Sequence, residues 1–260
     1  MITPMGTAQK KTVAVIGLGY VGLPLAVRAV ERGYDVIGFD THAEKVEVLK
    51  KKKSPIEDQY LIDNIPKFPF EATTDASRLA DADIVLICVP TPVDEMYYPD
   101  LEPVISAATV SAEHLKKGAL VVLESTVNPG VSEEVIRPIF EEHGHKLGKD
   151  VFIAHCPERI NPGDEKWNVT NIPRVVGAFD QKGLKMALEF YRAIVDGEIR
   201  PMKSIREAEA VKVVENSFRD INIAFVNELA RSFDVLGTDV KDAIQGASTK
   251  PSSSLPHFPS

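Results

Sequence analysis

Thr12-Val13-Ala14-Val15-Ile16-Gly17-Leu18-Gly19-Tyr20-Val21-Gly22 is the stretch that decides the architecture. Thr12 to Ile16 is an apolar, β-branched run that reads as a buried strand, and the glycines follow at once. Leu23-Pro24-Leu25-Ala26-Val27-Arg28-Ala29-Val30 then takes helical periodicity. Pro24 falls in the first turn, where a missing N–H costs little, and Gly33 is placed to stop the helix. A second strand, Asp35-Val36-Ile37-Gly38-Phe39-Asp40, ends in an acid 18 residues after Gly22. A strand, a glycine turn, a helix and a second strand closed by an acid form the context of a dinucleotide fingerprint. The glycines let backbone approach a pyrophosphate, and the helix N-terminus supplies partial positive charge. Asp40 is placed to accept hydrogen bonds from an adenosine ribose. A 2′-phosphate there meets a like charge, which favours NAD over NADP.

Composition fits an enzyme more than a nucleic-acid binder. The 260 residues are 44% hydrophobic, enough for a core, and the net charge of −8 argues against a nucleic-acid surface. Lys50-Lys51-Lys52-Lys53 reads as a solvated helix end. Two cysteines, Cys88 and Cys156, cannot build a disulfide framework, which suits a reducing, cytoplasmic setting. Met1 to Lys11 lacks an apolar signal-peptide core, and the apolar run Ile84 to Val89 is far too short to span a bilayer. No metal site is expected: His143 and His145 near Glu141 and Glu142 read as a solvated helix end. Asn168-Val169-Thr170 is a glycosylation sequon without secretory context.

Strand and helix patterns alternate along the chain. Helices are expected over Ala43–Lys51, Ala76–Ala80, Leu101–Leu115, Val131–Glu142 and Lys182–Val195. Strands are expected at Phe68–Ala72, Asp83–Val89, Ala119–Leu123, Val151–Ala154 and Arg174–Gly177. The continuous apolar run at 83–89 suits a parallel sheet covered on both faces. The order predicts an α/β fold with a doubly wound, Rossmann-type, mostly parallel sheet, followed by a long central helix and the start of a helical domain.

That helix should run from a capping box at Ser204 and Glu207 to a stop at Gly237. It holds about 32 residues without glycine or proline and is on the order of 48 Å long. Val211, Val214, Phe218, Ile221, Phe225, Leu229, Phe233 and Leu236 form one apolar stripe. Val213, Ile223, Val226 and Ala230 widen it onto other faces. The segment reads as a spine between domains that packs against a partner subunit, or as a helix buried within one chain. Lys212 and Asn216 share a face at i and i+4. Together they can hold an oxygen that gains negative charge, although the pair alone also reads as a solvated face.

Ligands of such sheets bind beyond the carboxyl ends of the strands. Three polar loops follow strand ends: Val89-Pro90-Thr91-Pro92, Glu124-Ser125-Thr126-Val127-Asn128-Pro129-Gly130 and His155-Cys156-Pro157-Glu158-Arg159-Ile160-Asn161-Pro162-Gly163-Asp164. Each alone could be a turn rich in breakers.

Taken in order, Gly17 to Pro24, Val89 to Pro92, Glu124 to Thr126, Cys156 to Arg159 and Lys212-Val213-Val214-Glu215-Asn216-Ser217-Phe218 resemble the UDP-glucose/GDP-mannose dehydrogenases across essentially the whole chain. The run from Glu158 to Asp164 is most similar to the branch acting on UDP-N-acetylhexosamines. Pro162 stands where the UDP-glucose branch usually carries a second glutamate.

The resemblance implies NAD-dependent oxidation of the C6 alcohol of a UDP-sugar to a carboxylate, with two NAD used in succession, in polysaccharide biosynthesis. By motif it places Gly17, Gly19, Tyr20, Val21 and Gly22 on the pyrophosphate. Asp40 and Lys45 fall on the adenosine ribose, and Pro90 and Thr91 near the cofactor. Thr126 is placed near the nicotinamide and a catalytic water. Glu158 becomes an acid/base or water-positioning carboxylate, and Lys212 and Asn216 stabilise an oxyanion. Arg159 and Asn161 are placed on the sugar, and the long helix 205–236 in a homodimer. The expected division is an NAD-binding domain over 1–203 and a central, dimerising helical segment over 204–260. The family's nucleophilic cysteine falls just past Ser260 and its UDP-binding domain further on. The chain is therefore expected to be the N-terminal part of a longer enzyme, or a truncated relative without turnover of its own. Two other readings fit parts of the pattern: a β-hydroxyacid-type NAD dehydrogenase, which lacks the Glu124 and Cys156 loops, and a non-catalytic NAD-binding or dimerisation module.

Overall fold

A computed structural model describes residues 10–160 and 166–250. Asn161 and the stretch from 251 to 260 lie outside the described residues. The described residues form the strands β1 (Thr12–Ile16), β2 (Asp35–Phe39), β3 (Glu71–Thr73), β4 (Ile84–Ile87), β5 (Ala119–Leu123), β6 (Val151–His155), β7 (Arg174–Ala178) and β8 (Ile199–Pro201), most of them short apolar runs of the sequence. They make one sheet in the order β3-β2-β1-β4-β5-β6-β7-β8. β1 to β6 are mutually parallel, β7 is antiparallel to β6, and β8 is parallel to β7. The order reverses between β1 and β4, both of which leave the sheet at the same edge.

The two-residue period of the strands sorts their side chains between two cores. Val13, Val15, Leu86, Val122, Phe152 and Val176 face one side, with α1 (Gly22–Glu31), α2 (Ala43–Lys50), α3 (Gln59–Asn64) and α6 (Gln181–Ile194). Ala14, Ile16, Val85, Val121, Leu123 and Ile153 face the other, with α4 (Glu102–His114), α5 (Arg137–Glu142) and Ile205, the first residue of α7 (Ile205–Leu236). The sheet is thus covered on both faces, as its apolar strands require.

Several elements differ in detail from the sequence reading. The segment after Asp75 is a 3₁₀ turn, Ala76–Asp81, rather than an α-helix; the Asp75 side chain caps it by accepting from Ser77 N. The helix expected from Val131 opens as a π turn over Ser132–Ile136 before α5 begins. β3 lies later than expected, and α3, β8 and α8 (Val240–Ser248) add to the pattern. Cys88 falls just past β4, although its N–H still continues the ladder to Ile16 O. Ser204 caps α7 by accepting from Glu207 N, while the Glu207 carboxylate accepts from Lys203 N rather than closing the box on Ser204.

The chain divides into two compact units, residues 1–210 and 211–260, with the boundary inside α7. In the second unit α7 continues to Leu236 and α8 follows, capped by Asp239 accepting from Lys241 N. Val226 and Ile244 are buried there, whereas Val214, Phe218, Ile221, Phe225, Val235 and Leu236 are exposed.

Candidate functional site

The glycine turn is shaped by close approach. A Cβ on Gly22 would stand 2.0 Å from Gly17 O, and one on Gly17, whose φ is +90°, would stand 2.7 Å from Cys88 O. Neither position tolerates a side chain. Gly19 differs: a Cβ there meets nothing within 4 Å, so it points into open space. Gly19 O accepts from Leu23 N, starting α1, and no side chain caps that N-terminus. Tyr20 is exposed and Val21 half-buried beside it. An uncapped helix N-terminus behind a glycine that faces open space fits a dinucleotide pyrophosphate.

Asp40 sits one residue beyond β2, and its carboxylate is nearly buried. Oδ2 accepts from Leu18 N at 2.8 Å and from Lys45 Nζ at 2.6 Å. Oδ1 accepts from His42 N and His42 Nδ1, each at 3.0 Å. Burial pushes this acid up, but the Lys45 ammonium and the two backbone N–H groups outweigh it and hold the carboxyl below its ordinary value. Asp40 is therefore an anion that pins the glycine turn through Leu18 as well as an acceptor at the end of β2.

Three loops leave the carboxyl edge together. Ser125 Oγ donates to Val89 O at 2.7 Å, tying the loop that carries Thr126 to the one that carries Pro90 and Thr91. Glu158 N donates to Glu124 O at 3.4 Å, tying the third loop to the second. Thr91 and Thr126 are half-buried and Pro90 is exposed.

Beneath these loops lies a charged cluster on the α6 face of the sheet. Arg174, the first residue of β7, is fully buried. Its Nη1 donates to Glu124 Oε2 and its Nη2 to Glu158 Oε2, both at 2.8 Å. Tyr191 OH, from α6, donates to Glu124 Oε1. Glu158 Oε1 accepts from Arg159 N at 2.6 Å and Ile160 N at 2.8 Å. Cys156 Sγ lies 3.9 Å from Arg174 Nη1. Burial pushes Glu124 up to about 7 against the pull of Arg174, and it also raises the Cys156 and Cys88 thiols, so neither cysteine is a ready thiolate.

Arg174, Tyr191 and Glu209 were not legible as site residues. Glu209, buried on α7, accepts from Gly130 N at 2.6 Å and Ser132 N at 2.8 Å, and so clamps the end of the Thr126 loop. Arg159 is half-buried and gives one N–H to Pro173 O at 2.8 Å. His143 and His145 each donate a ring N–H to a backbone carbonyl, and among the described residues no group of three or more His, Cys, Asp or Glu side chains is disposed around a metal ion. Lys212 and Asn216 belong to the second unit; both are half-buried, and Asn216 Oδ1 accepts from Arg219 Nη2 at 3.1 Å.

Residues 11–195 match the NAD binding domain of the UDP-glucose/GDP-mannose dehydrogenase family, and residues 206–260 match that family's central domain. Among curated relatives, Protein CapL of Staphylococcus aureus is 38% identical over 243 residues, covering 93% of this chain and 57% of the relative. The UDP-N-acetyl-D-glucosamine 6-dehydrogenase of Pseudomonas aeruginosa is 38% identical over 241 residues, covering 92% and 56%. The solved structure of the UDP-D-ManNAc dehydrogenase of Pyrococcus horikoshii superposes with a TM-score of 0.90 at 34% identity, over 95% of this chain and 60% of that one. The chain thus spans somewhat more than half the length of these proteins. With its glycine turn, its loop edge and nearly all its length matched, the chain belongs to the UDP-glucose/GDP-mannose dehydrogenase family, of which it carries the NAD binding and central domains.

Proposed function

We propose that the chain is the NAD-binding and central part of a UDP-N-acetylhexosamine 6-dehydrogenase. One observation carries this reading. The uncapped α1 N-terminus, with Gly19 facing open space, lies at the same sheet edge as the interlaced Thr91, Thr126 and Glu158 loops. The name of the Pseudomonas aeruginosa relative, at 38% identity, supplies the sugar class.

When bound, NAD accepts a hydride from the sugar alcohol. The chain's own residues divide the remaining work. Gly17, Gly19, Tyr20, Val21 and Gly22 bring backbone to the pyrophosphate, and Asp40 with Lys45 meets the ribose. Pro90 and Thr91 line the cofactor side, and Thr126 the nicotinamide side. Glu158, gripped by three donors, acts as an acceptor that orients a sugar hydroxyl or a water. Arg159 and Asn161 contact the sugar. Lys212 and Asn216, one turn apart on α7, offer an ammonium and an amide to an oxygen that gains charge. The exposed stripe Val214, Phe218, Ile221 and Phe225 supports a homodimer through this helix. The absence of any described helix long and apolar enough to cross a membrane is compatible with a cytoplasmic enzyme.

The test is turnover. Residues 1–260 are joined to the segment by which the relatives are longer and given NAD with UDP-N-acetylglucosamine or UDP-N-acetylmannosamine. The expected result is the uronic acid by mass spectrometry, with two NADH per sugar. A folded, NAD-binding protein that oxidises neither would overturn the reading.

A further inference from the structure

The buried cluster under the loops contains more than the proposed chemistry uses. Glu124, Arg174 and Tyr191 touch no open surface, since all three are fully buried. They come from three separate elements: the residue after β5, the first residue of β7, and α6. The single reversal of strand direction brings them together. β7 runs antiparallel to β6, so its amino-terminal residue arrives at the edge where β4, β5 and β6 end. The two-residue period then turns Arg174, like Val176, toward α6, on the side that Cys156 also faces. A parallel β7 would have put this guanidinium at the opposite edge.

The charge count in this pocket is uneven. One guanidinium serves two carboxylates, and its third nitrogen, Nε, has no hydrogen-bond partner among the described residues. The carboxylates are unlike. Glu158 accepts three hydrogen bonds, two from consecutive backbone N–H groups and one from Arg174, and keeps a small exposed fraction. Glu124 has Arg174 and the Tyr191 hydroxyl and no exposure at all. A buried anion without full compensation takes up a proton. Glu124, with fewer donors and no exposure, is the one that takes up a proton. Its protonation leaves the Arg174 guanidinium to Glu158.

We propose that Arg174 is the positioning residue for Glu158: held from behind by Glu124 and Tyr191, it fixes the Glu158 carboxylate over the Arg159 and Ile160 amides in the orientation that the reaction uses. This inference rests on the role given to Glu158 above. It makes Glu124 and Tyr191 the backing of the arrangement and not its working groups. Arg174 is well suited to this, because a planar fork can bridge two carboxylates where an ammonium would reach only one.

Backbone amide hydrogen exchange tests it, because the Arg159 and Ile160 N–H groups report directly on whether Glu158 stays in place. Amides of β1 serve as the control for the fold. In Arg174→Met, exchange at Arg159 and Ile160 is expected to speed up by roughly tenfold or more, as for loss of a charge-assisted hydrogen bond, with β1 unchanged. Arg174→Lys should restore part of the protection. A merely structural arginine would loosen β1 and the two amides alike, or neither. Unchanged exchange at Arg159 and Ile160 in a folded Arg174→Met would overturn the proposal, as would an Arg174→Lys no better than Arg174→Met. Should Arg174→Met not fold, Glu124→Gln decides. It fixes this side chain in its uncharged form and keeps an acceptor, so protection of the two amides is expected to hold or rise; a fall would overturn the proposal. Calorimetric titration of the same samples with NAD separates this inference from the reading beneath it. A parent chain that fails to bind NAD refutes that reading, whereas the exchange result decides the role of Arg174.

Discussion

Glu124 and His155 are both fully buried ionisable side chains, and burial moves them in opposite directions. Glu124 rises to about 7, and the stability tied to its proton is present below its unfolded value of about 4.5 and lost as pH climbs through about 7. Between pH 5 and pH 8 the parent should therefore lose on the order of 2 kcal/mol relative to Glu124→Gln, measured by urea unfolding. Parallel profiles would contradict this. His155 falls to about 3 because its ring is desolvated, and neither ring nitrogen has a hydrogen-bond partner among the described residues. Its contribution is present above about 6.5 and lost as pH falls toward 3. His155→Leu should thus gain stability over the parent as pH drops from 7 to 4, by roughly 2 kcal/mol, and an acid profile identical to the parent's would refute it. The sequence disclosed residues of this scale unevenly. Glycines 17, 19 and 22 were readable because their chemistry follows from local spacing. Glu124 and Glu158 stood out as acids at strand ends. Arg174 and Tyr191 did not, since they meet Glu124 across 50 and 67 positions through strand register and a reversed strand, which no local pattern encodes.

At the scale of elements, α7 is fastened at its start and exposed further along. Its first turns are fastened to the Thr126 loop by Glu209, whose carboxylate satisfies two buried backbone N–H groups. Glu209→Ala should cost about 3 kcal/mol or more in denaturant unfolding, since both donors lose their acceptor, and Glu209→Gln should recover part of it. A cost below about 1 kcal/mol would show that the clamp is dispensable. Further along, Val214, Phe218, Ile221 and Phe225 recur at steps of four, three and four and are exposed. A row of this kind suits an interface. Sedimentation at roughly 20–50 µM should show a dimer, and Ile221→Asp should shift it to monomer without unfolding the sheet; a monomeric parent at that concentration would rule the interface out. The long helix was legible because 32 residues of period 3.6 leave little ambiguity. The short elements were not: β8 has three residues and α3 six, and the π turn at Ser132–Ile136 departs from any regular period. Glu209 was hidden within the helix pattern, because an acid on a long helix ordinarily faces solvent.

For the whole molecule, the governing feature is the switch between β1 and β4 in a sheet covered on both faces. It opens a crevice beyond the carboxyl ends, and the chain places its glycine turn there. This much followed from the order of strands and helices. The division at 210/211, inside a continuous helix, was not readable, because periodicity continues straight through it. The claim that this crevice holds NAD by its pyrophosphate rests on Gly19, the one glycine of the turn whose missing side chain leaves open space and not a packing contact. The most direct test is calorimetric titration of NAD into the parent chain and into Gly19→Val, with thermal unfolding of both. The parent should bind NAD, and Gly19→Val should bind at least about tenfold more weakly while unfolding within a few degrees of the parent, because its side chain enters the ligand's space and not the core. Equal NAD affinity in the two proteins, or no binding by the parent at millimolar NAD, would contradict the account.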